Sequence, residues 1–341
     1  MRAVFAVPGD LSAPTGGYEY ARRVLAALPA LALLPLPDGF PLPAETVLQQ
    51  TADLLAEIPA GSVLLIDGLA YGALPAWCLD RIRARIVALV HHPLCLETGL
   101  APETTAALRE SERLALARAA QVITTSASTA RSLMQDFAIP EARLHVAEPG
   151  TDPAPRAIAN NATPQLLAVG AVSPRKAYRD LVAALAGLAD RPWHLTIAGD
   201  LSRNRAEVAD LRAAIAAHGL AHRVTLSGAV PDAALLKLYR SSDLFVASAL
   251  HEGYGMAAAT ALAHGLPLVA TTGGALLDTI PASCAVTCPP GDIAALRTAL
   301  ARMLDDPALR AACADAAWTH AQTLPRWHQT AARIKAVLTT P

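Results

Sequence analysis

A chain of 341 residues is too long for one ordinary domain and suits two of about 150. With 53% hydrophobic and 17% charged residues, each half can bury a full core, and with only 4% aromatics that core must be built from Ala, Leu and Val. The net charge of −1 leaves no electrostatic footprint for nucleic acid, and five cysteines without a C-x-x-C pair (Cys78, Cys95, Cys284, Cys288, Cys313) argue against a disulfide framework or a zinc site.

The first apolar run, 3–7, is too short for a signal peptide and reads as a buried strand. Residues 24–36 are apolar but are broken by Pro29 and Pro35, and no run approaches the ~18 apolar residues of a membrane span. Strands are expected at 3–7, 31–34, 62–66, 85–90, 121–125 and 144–147. Helices are expected between them at 18–27, 44–58, 75–81, 104–118 and 128–137. Residues 149–164 carry four prolines and two asparagines and read as a linker. The alternation then restarts, with strands at 165–169, 193–198, 224–227, 244–247, 267–271 and 285–287. Its helices are expected at 178–186, 205–218, 232–240, 256–263, 274–279, 292–304 and 307–323, and an amphipathic stretch at 326–338 ends the chain. Strands that are apolar throughout, alternating with helices, specify parallel sheets covered on both faces. The expected fold is therefore α/β, with two Rossmann-like doubly wound domains in series, whose ligands bind beyond the carboxyl ends of the strands.

Four loops at such strand ends carry chemistry. The strongest is Ser248-Ala249-Leu250-His251-Glu252-Gly253-Tyr254-Gly255-Met256, between a strand and a helix. Its glycines let the backbone approach a ligand, and the first helical turn offers free N–H groups to a phosphate. A carboxylate in front of that cradle repels phosphate, so Glu252 should face sugar hydroxyls, which donate to it. A second loop, Gly170-Ala171-Val172-Ser173-Pro174-Arg175-Lys176, sets two adjacent cations where they can neutralise a diphosphate. Third, Thr15-Gly16-Gly17-Tyr18 opens a helix after the first strand. It is not a G-x-G-x-x-G, which disfavours a nicotinamide cofactor. Fourth, His91-His92-Pro93 ends a strand of the first half. Spacing does not choose between the two histidines, and Glu97 shortly after reads equally as an acceptor contact or a surface charge.

The stretch from Glu252 to Pro267 resembles the signature of the retaining family 4 glycosyltransferases (glycosyl transferases group 1), which have the GT-B fold. That resemblance implies two Rossmann-like domains facing across a cleft. The acceptor domain would be 1–155, completed by a crossing helix at 326–341, and the donor domain 156–325. It further implies a hexosyltransferase that moves a sugar from a nucleotide-diphosphate donor, UDP- or GDP-linked, to an acceptor. No Asp-x-Asp sits at a strand end in metal-ligand context, so no catalytic metal is expected, and no cofactor beyond the donor. Glu252 would contact the donor sugar, with Gly253, Tyr254, Gly255 and Met256 forming the donor loop. Arg175 and Lys176 would hold the diphosphate, Gly16 and Gly17 would lie against it, and His91 or His92 would touch the sugar. Gly228 and Val230 would receive the base. Two positions depart from the family pattern: Thr260 stands where a second Glu holds the ribose, and Ala171 where many members carry Arg. The odd cysteine count without a C-x-x-C pair reads as a reduced cytoplasmic protein, and the family allows peripheral membrane contact at the inner face of the membrane. Competing readings are an epimerase or phosphorylase of the same fold, for which no extra carboxylate set or cofactor lysine is evident, and a nucleotide-sugar-binding paralogue without turnover.

Overall fold

The structure is a computed structural model and describes residues 2–340. It divides into two compact units, residues 1–150 with 325–341, and residues 151–324. The chain passes from one unit to the other at Gly150/Thr151 and at Leu324/Pro325.

The first unit holds a six-stranded parallel sheet of β1 (Ala3–Pro8), β2 (Leu31–Leu36), β3 (Val63–Asp67), β4 (Arg85–Val90), β5 (Gln121–Thr124) and β6 (Leu144–Val146), in the order β2-β1-β3-β4-β5-β6. Side chains alternate faces along each strand, and both faces are buried. Val4, Ala6, Leu64 and Ile66 point into one core cluster. Phe5, Val7, Val63 and Leu65 point into another, which is closed by Tyr20 and Val24 of the helix Gly16–Ala27 and by Ile334, Val337 and Leu338 of the terminal helix Trp327–Thr339. Each large side chain buried this way stabilises the fold by roughly 1.5–3 kcal/mol.

The second unit repeats the plan with β7 (Gln165–Val169), β8 (His194–Ala198), β9 (Val224–Gly228), β10 (Leu244–Ala247), β11 (Leu268–Thr271) and β12 (Ala285–Cys288), in the order β12-β11-β10-β7-β8-β9. Each sheet reverses its winding direction once, between β1 and β3 and between β7 and β10. Loops leaving neighbouring strands diverge there and leave a crevice at the carboxyl edge.

Several expected elements differ in their ends. Residues 62–66 slide on to end at Asp67, and the turn Gly68–Tyr71 follows directly as a short helix. Gly68 permits this because a Cβ there would lie 2.8 Å from the Leu89 carbonyl oxygen. The expected helix 75–81 contracts to Ala76–Leu79, and 274–279 contracts to Leu276–Thr279, because Gly274 is held in a loop. Among the described residues, no helix is long and apolar enough to cross a membrane.

Candidate functional site

At the switch point of the second sheet, β7 runs into Gly170, whose φ of +146° suits glycine. A Cβ at Gly170 would meet Lys176 Cε at 2.5 Å, and one at Gly199 would meet the Gly170 carbonyl oxygen at 2.0 Å. The chain then makes the single turn Pro174–Lys176 and enters the helix Tyr178–Ala186 through Ala177, which is left-handed at φ +50°. From the adjacent β10, Leu250 N donates to Arg175 O (2.8 Å) and Ser248 Oγ to Lys176 O (2.8 Å). The two loops are thereby locked together.

Their charged side chains form one cluster. Lys176 Nζ lies 2.5 Å from Glu252 Oε1. Arg175 Nη1 donates to Glu252 Oε2 (3.1 Å) and to the His251 carbonyl oxygen (2.7 Å). The three side chains are only 14–19% exposed. Burial pushes the Glu252 carboxyl upward, but the charge and hydrogen bonds of Lys176 and Arg175 overcome it and hold the group at about 2. Glu252 is a carboxylate at any ordinary pH.

The backbone beneath Glu252 is equally fixed. Its N–H donates to Gly273 O (3.3 Å) and its carbonyl accepts from Ala275 N (2.8 Å). A Cβ at Gly273 would lie 2.3 Å from Leu250 O, and one at Gly274 2.3 Å from Glu252 O. The sequence reading missed this glycine pair; its signal was Thr-Thr-Gly-Gly directly after an apolar strand.

The remaining loop residues divide by role. Gly255, left-handed at φ +94°, opens the helix Met256–Ala263, whose first-turn residues Ala257 and Ala258 line a pocket together with Lys176 and Glu252. Tyr254 is 6% exposed and lies in an apolar cluster with Ala258, Leu276 and Ile280, while its carbonyl accepts from Thr279 Oγ1 (2.5 Å). Any contact it makes with a ligand therefore comes from its backbone. Met256 packs against the same cluster, and Gly253 is half-buried at the loop surface. Thr260 donates its hydroxyl to Met256 O (3.0 Å) within its own helix. Gly228 and the half-buried Val230 lie apart from the charged cluster, at the end of edge strand β9. There Gly228 borders a groove with Asp200, Ser202, Arg205 and Arg212.

In the first unit the switch point gathers Gly16, Gly17, Asp67 and His91. Thr15 Oγ1 caps the helix by accepting from Tyr18 N (3.3 Å). A Cβ on Gly17 would lie 3.5 Å from His91 Nε2, so the imidazole rests on the helix start. His91 Nε2 is 3.5 Å from Asp67 Oδ2, an ion-pair distance too long for a good hydrogen bond, and its ring packs edge-on against Tyr20. The hydroxyls of Thr125 and Thr129 donate to His91 O (3.2 and 3.3 Å), which fixes its backbone. His92 diverges to pair with Glu97 (Nε2···Oε2 3.3 Å). The structure thus separates two histidines that spacing left equivalent, and it adds Asp67. The only sequence signal for Asp67 was a carboxylate closing an apolar strand. Among the described residues, no group of three or more His, Cys, Asp or Glu could hold a metal ion.

Comparison with known proteins bears on the family and the fold. Residues 154–319 match the family model Glycosyl transferases group 1, and residues 62–155 match Glycosyltransferase Family 4. The chain is 29% identical over 214 residues to the 2-deoxystreptamine glucosyltransferase of Streptomyces kanamyceticus, covering 58% of this chain and 54% of that protein. It is 27% identical over 274 residues to the MMP α-(1→4)-mannosyltransferase of Mycolicibacterium hassiacum, covering 74% and 64%. The chain thus spans less than two thirds of the length of either relative. Among solved structures, sucrose-phosphate synthase from Thermosynechococcus elongatus superposes with a TM-score of 0.82 at 22% identity, over 98% of both chains. Anabaena HepE in complex with UDP and glucose superposes with a TM-score of 0.78 at 16% identity, over 100% of both. These likenesses show the GT-B fold.

Proposed function

Because the chain belongs to the group 1 glycosyl transferases of family 4, we propose that it transfers a sugar, with retention of configuration, from a nucleotide-diphosphate donor to an acceptor hydroxyl. The observation that carries this reading is the Arg175–Lys176–Glu252 cluster, beside the start of the helix Met256–Ala263 at a sheet switch point. Two cations and a helix N-terminus offer charge for a leaving diphosphate, and a carboxylate next to them can accept from sugar hydroxyls. UDP is the nucleotide this reading favours, since HepE is described with UDP and with UDP-glucose. In the first unit, Gly16, Gly17 and His91 are assigned to the donor, with His91 preferred to His92 because it rests on Gly17. In the second unit, Gly228 and Val230 are assigned to the base. Thr260, engaged with Met256, can still accept one hydrogen bond from the ribose but not the two a carboxylate accepts. The acceptor oxygen attacks on the face the diphosphate leaves, and a donor phosphate oxygen takes its proton, so no protein base is required.

The test is transfer from a panel of UDP- and GDP-sugars. Glu252→Ala is expected to stay folded and lose roughly tenfold or more in rate, on the order of 1.4 kcal/mol. Replacing Arg175 and Lys176 together by Ala is expected to abolish UDP and GDP binding by calorimetry. Wild-type transfer by the first variant, or unchanged affinity in the second, would overturn the assignment.

A further inference from the structure

The cations assigned to the diphosphate are already occupied. Lys176 reaches Glu252 Oε1 at 2.5 Å and Arg175 reaches Oε2 at 3.1 Å, with all three side chains mostly buried. A diphosphate that took both cations would strip a buried carboxylate of its two counterions, which is costly unless new donors replace them. Sugar hydroxyls can be those donors, and a nucleoside diphosphate without its sugar has none to offer.

We propose that Glu252 is an internal competitor of the diphosphate for Arg175 and Lys176, so that the site holds an intact nucleotide sugar better than the nucleoside diphosphate left after transfer. The carboxylate is handed to the sugar when the donor binds. It reclaims the two cations once the sugar has gone, which drives the spent nucleotide out. The inference rests on the donor-site reading above and adds to it a route for product release.

The backbone makes the exchange feasible. Glu252 is held through its own N–H and carbonyl by Gly273 and Ala275, and Arg175 through its carbonyl by Leu250. Partners can therefore change by side-chain rotation alone, without moving either loop.

Calorimetry with UDP alone on the full chain tests the proposal, with Glu252→Gln and Glu252→Asp as variants. Glu252→Gln keeps the shape and removes the charge. If the cations are paired about nine-tenths of the time, it should bind UDP about tenfold more tightly than wild type. It should also show stronger product inhibition in any residual transfer. Glu252→Asp keeps the charge but withdraws it by one methylene from both partners, and it should tighten UDP binding by a smaller factor. UDP affinity in Glu252→Gln equal to or weaker than wild type overturns the proposal. Tightening by Gln with wild-type affinity in Asp also overturns it, because simple charge repulsion would then explain the gain. Should the Gln variant fail to fold, the Asp variant alone decides: tighter binding supports competition and unchanged binding refutes it. The donor-site reading fails separately, if wild type binds neither UDP nor GDP or if the Arg175/Lys176 double variant binds as wild type does.

Discussion

Glu112, in the helix Pro102–Arg118, is 1% exposed. Its Oε2 accepts from Leu94 N (2.8 Å), and its Oε1 has no hydrogen-bond partner among the described residues. Burial raises its carboxyl to about 8, against the opposing pull of the Leu94 amide and Arg109. The folded pKa thus lies above the ordinary value of 4.5. Folding stability tied to this group is fully present below that value and is lost as pH climbs from there to about 8, where the unfolded chain ionises and the folded one resists. Glu112→Gln should flatten this part of the stability–pH curve and be more stable than wild type at pH 8 by about 1 kcal/mol or more, read from urea melts. Glu252 behaves oppositely. Held at about 2, it adds stability above its ordinary value that is lost as pH falls toward 2. Gly274 belongs to the same scale. At φ +66°, with Glu252 O 2.3 Å from any added Cβ, Gly274→Ala should cost about 1–3 kcal/mol and weaken donor binding with it. A thermal melt and a titration with a UDP-sugar, rather than with UDP, check the two effects, and a stable variant with normal affinity for the UDP-sugar would show that the loop does not position Glu252.

Among elements, the terminal helix Trp327–Thr339 is tied to the helix Gly16–Ala27 by Trp327, which packs edge-on to Tyr20 (5.8 Å between ring centroids) and under the Arg23 guanidinium (5.7 Å). Thr330 Oγ1 donates to Glu148 O (2.7 Å), and Arg333 pairs with the Glu148 carboxylate (3.3 Å). Gly150 sits beneath: a Cβ there would lie 2.3 Å from Trp327 N and 2.5 Å from its Cα. Backbone cannot yield as a side-chain tip can, so Gly150→Ala should loosen this helix by about 1–3 kcal/mol, seen as faster amide exchange in 327–339 than elsewhere in the first unit. The central strands were legible because parallel strands buried on two faces are apolar at nearly every position, as in β1, β3 and β4, while the edge strands β2 and β9 are partly exposed. Long helices were legible as the longer stretches between the short apolar runs. Element ends drifted wherever a tertiary contact stops the chain, as at Gly274 and Asp67. The same division holds at the site. Arg175, Lys176 and Glu252 could be read from local motifs, but that they bind one another could not, because β7 and β10 become neighbours only through the strand order. Nor does Gly253-Tyr254-Gly255 reveal that the Tyr254 ring turns inward; that depends on Leu276 and Ile280 from a later element.

For the whole molecule, the second unit is an insertion within the first, because the chain leaves after Gly150 and returns at Pro325. The two crossing points lie close together, as the approach of Gly150 to Trp327 requires. A shortened chain joining Gly150 to Pro325 through a few flexible residues should therefore fold by itself, with a cooperative melt and circular dichroism of a mixed α/β protein. A broad, non-cooperative melt would show that the first core needs the second unit. The same topology has a consequence for synthesis. Phe5, Val7, Tyr20 and Leu65 leave the ribosome early, but Ile334, Val337 and Leu338, which share their cluster, leave it only after the entire second unit. At ~5–20 residues per second that wait is on the order of ten seconds or more. Throughout it, an apolar face of the nascent first sheet stands open, a substrate for chaperones until the last helix arrives to close it.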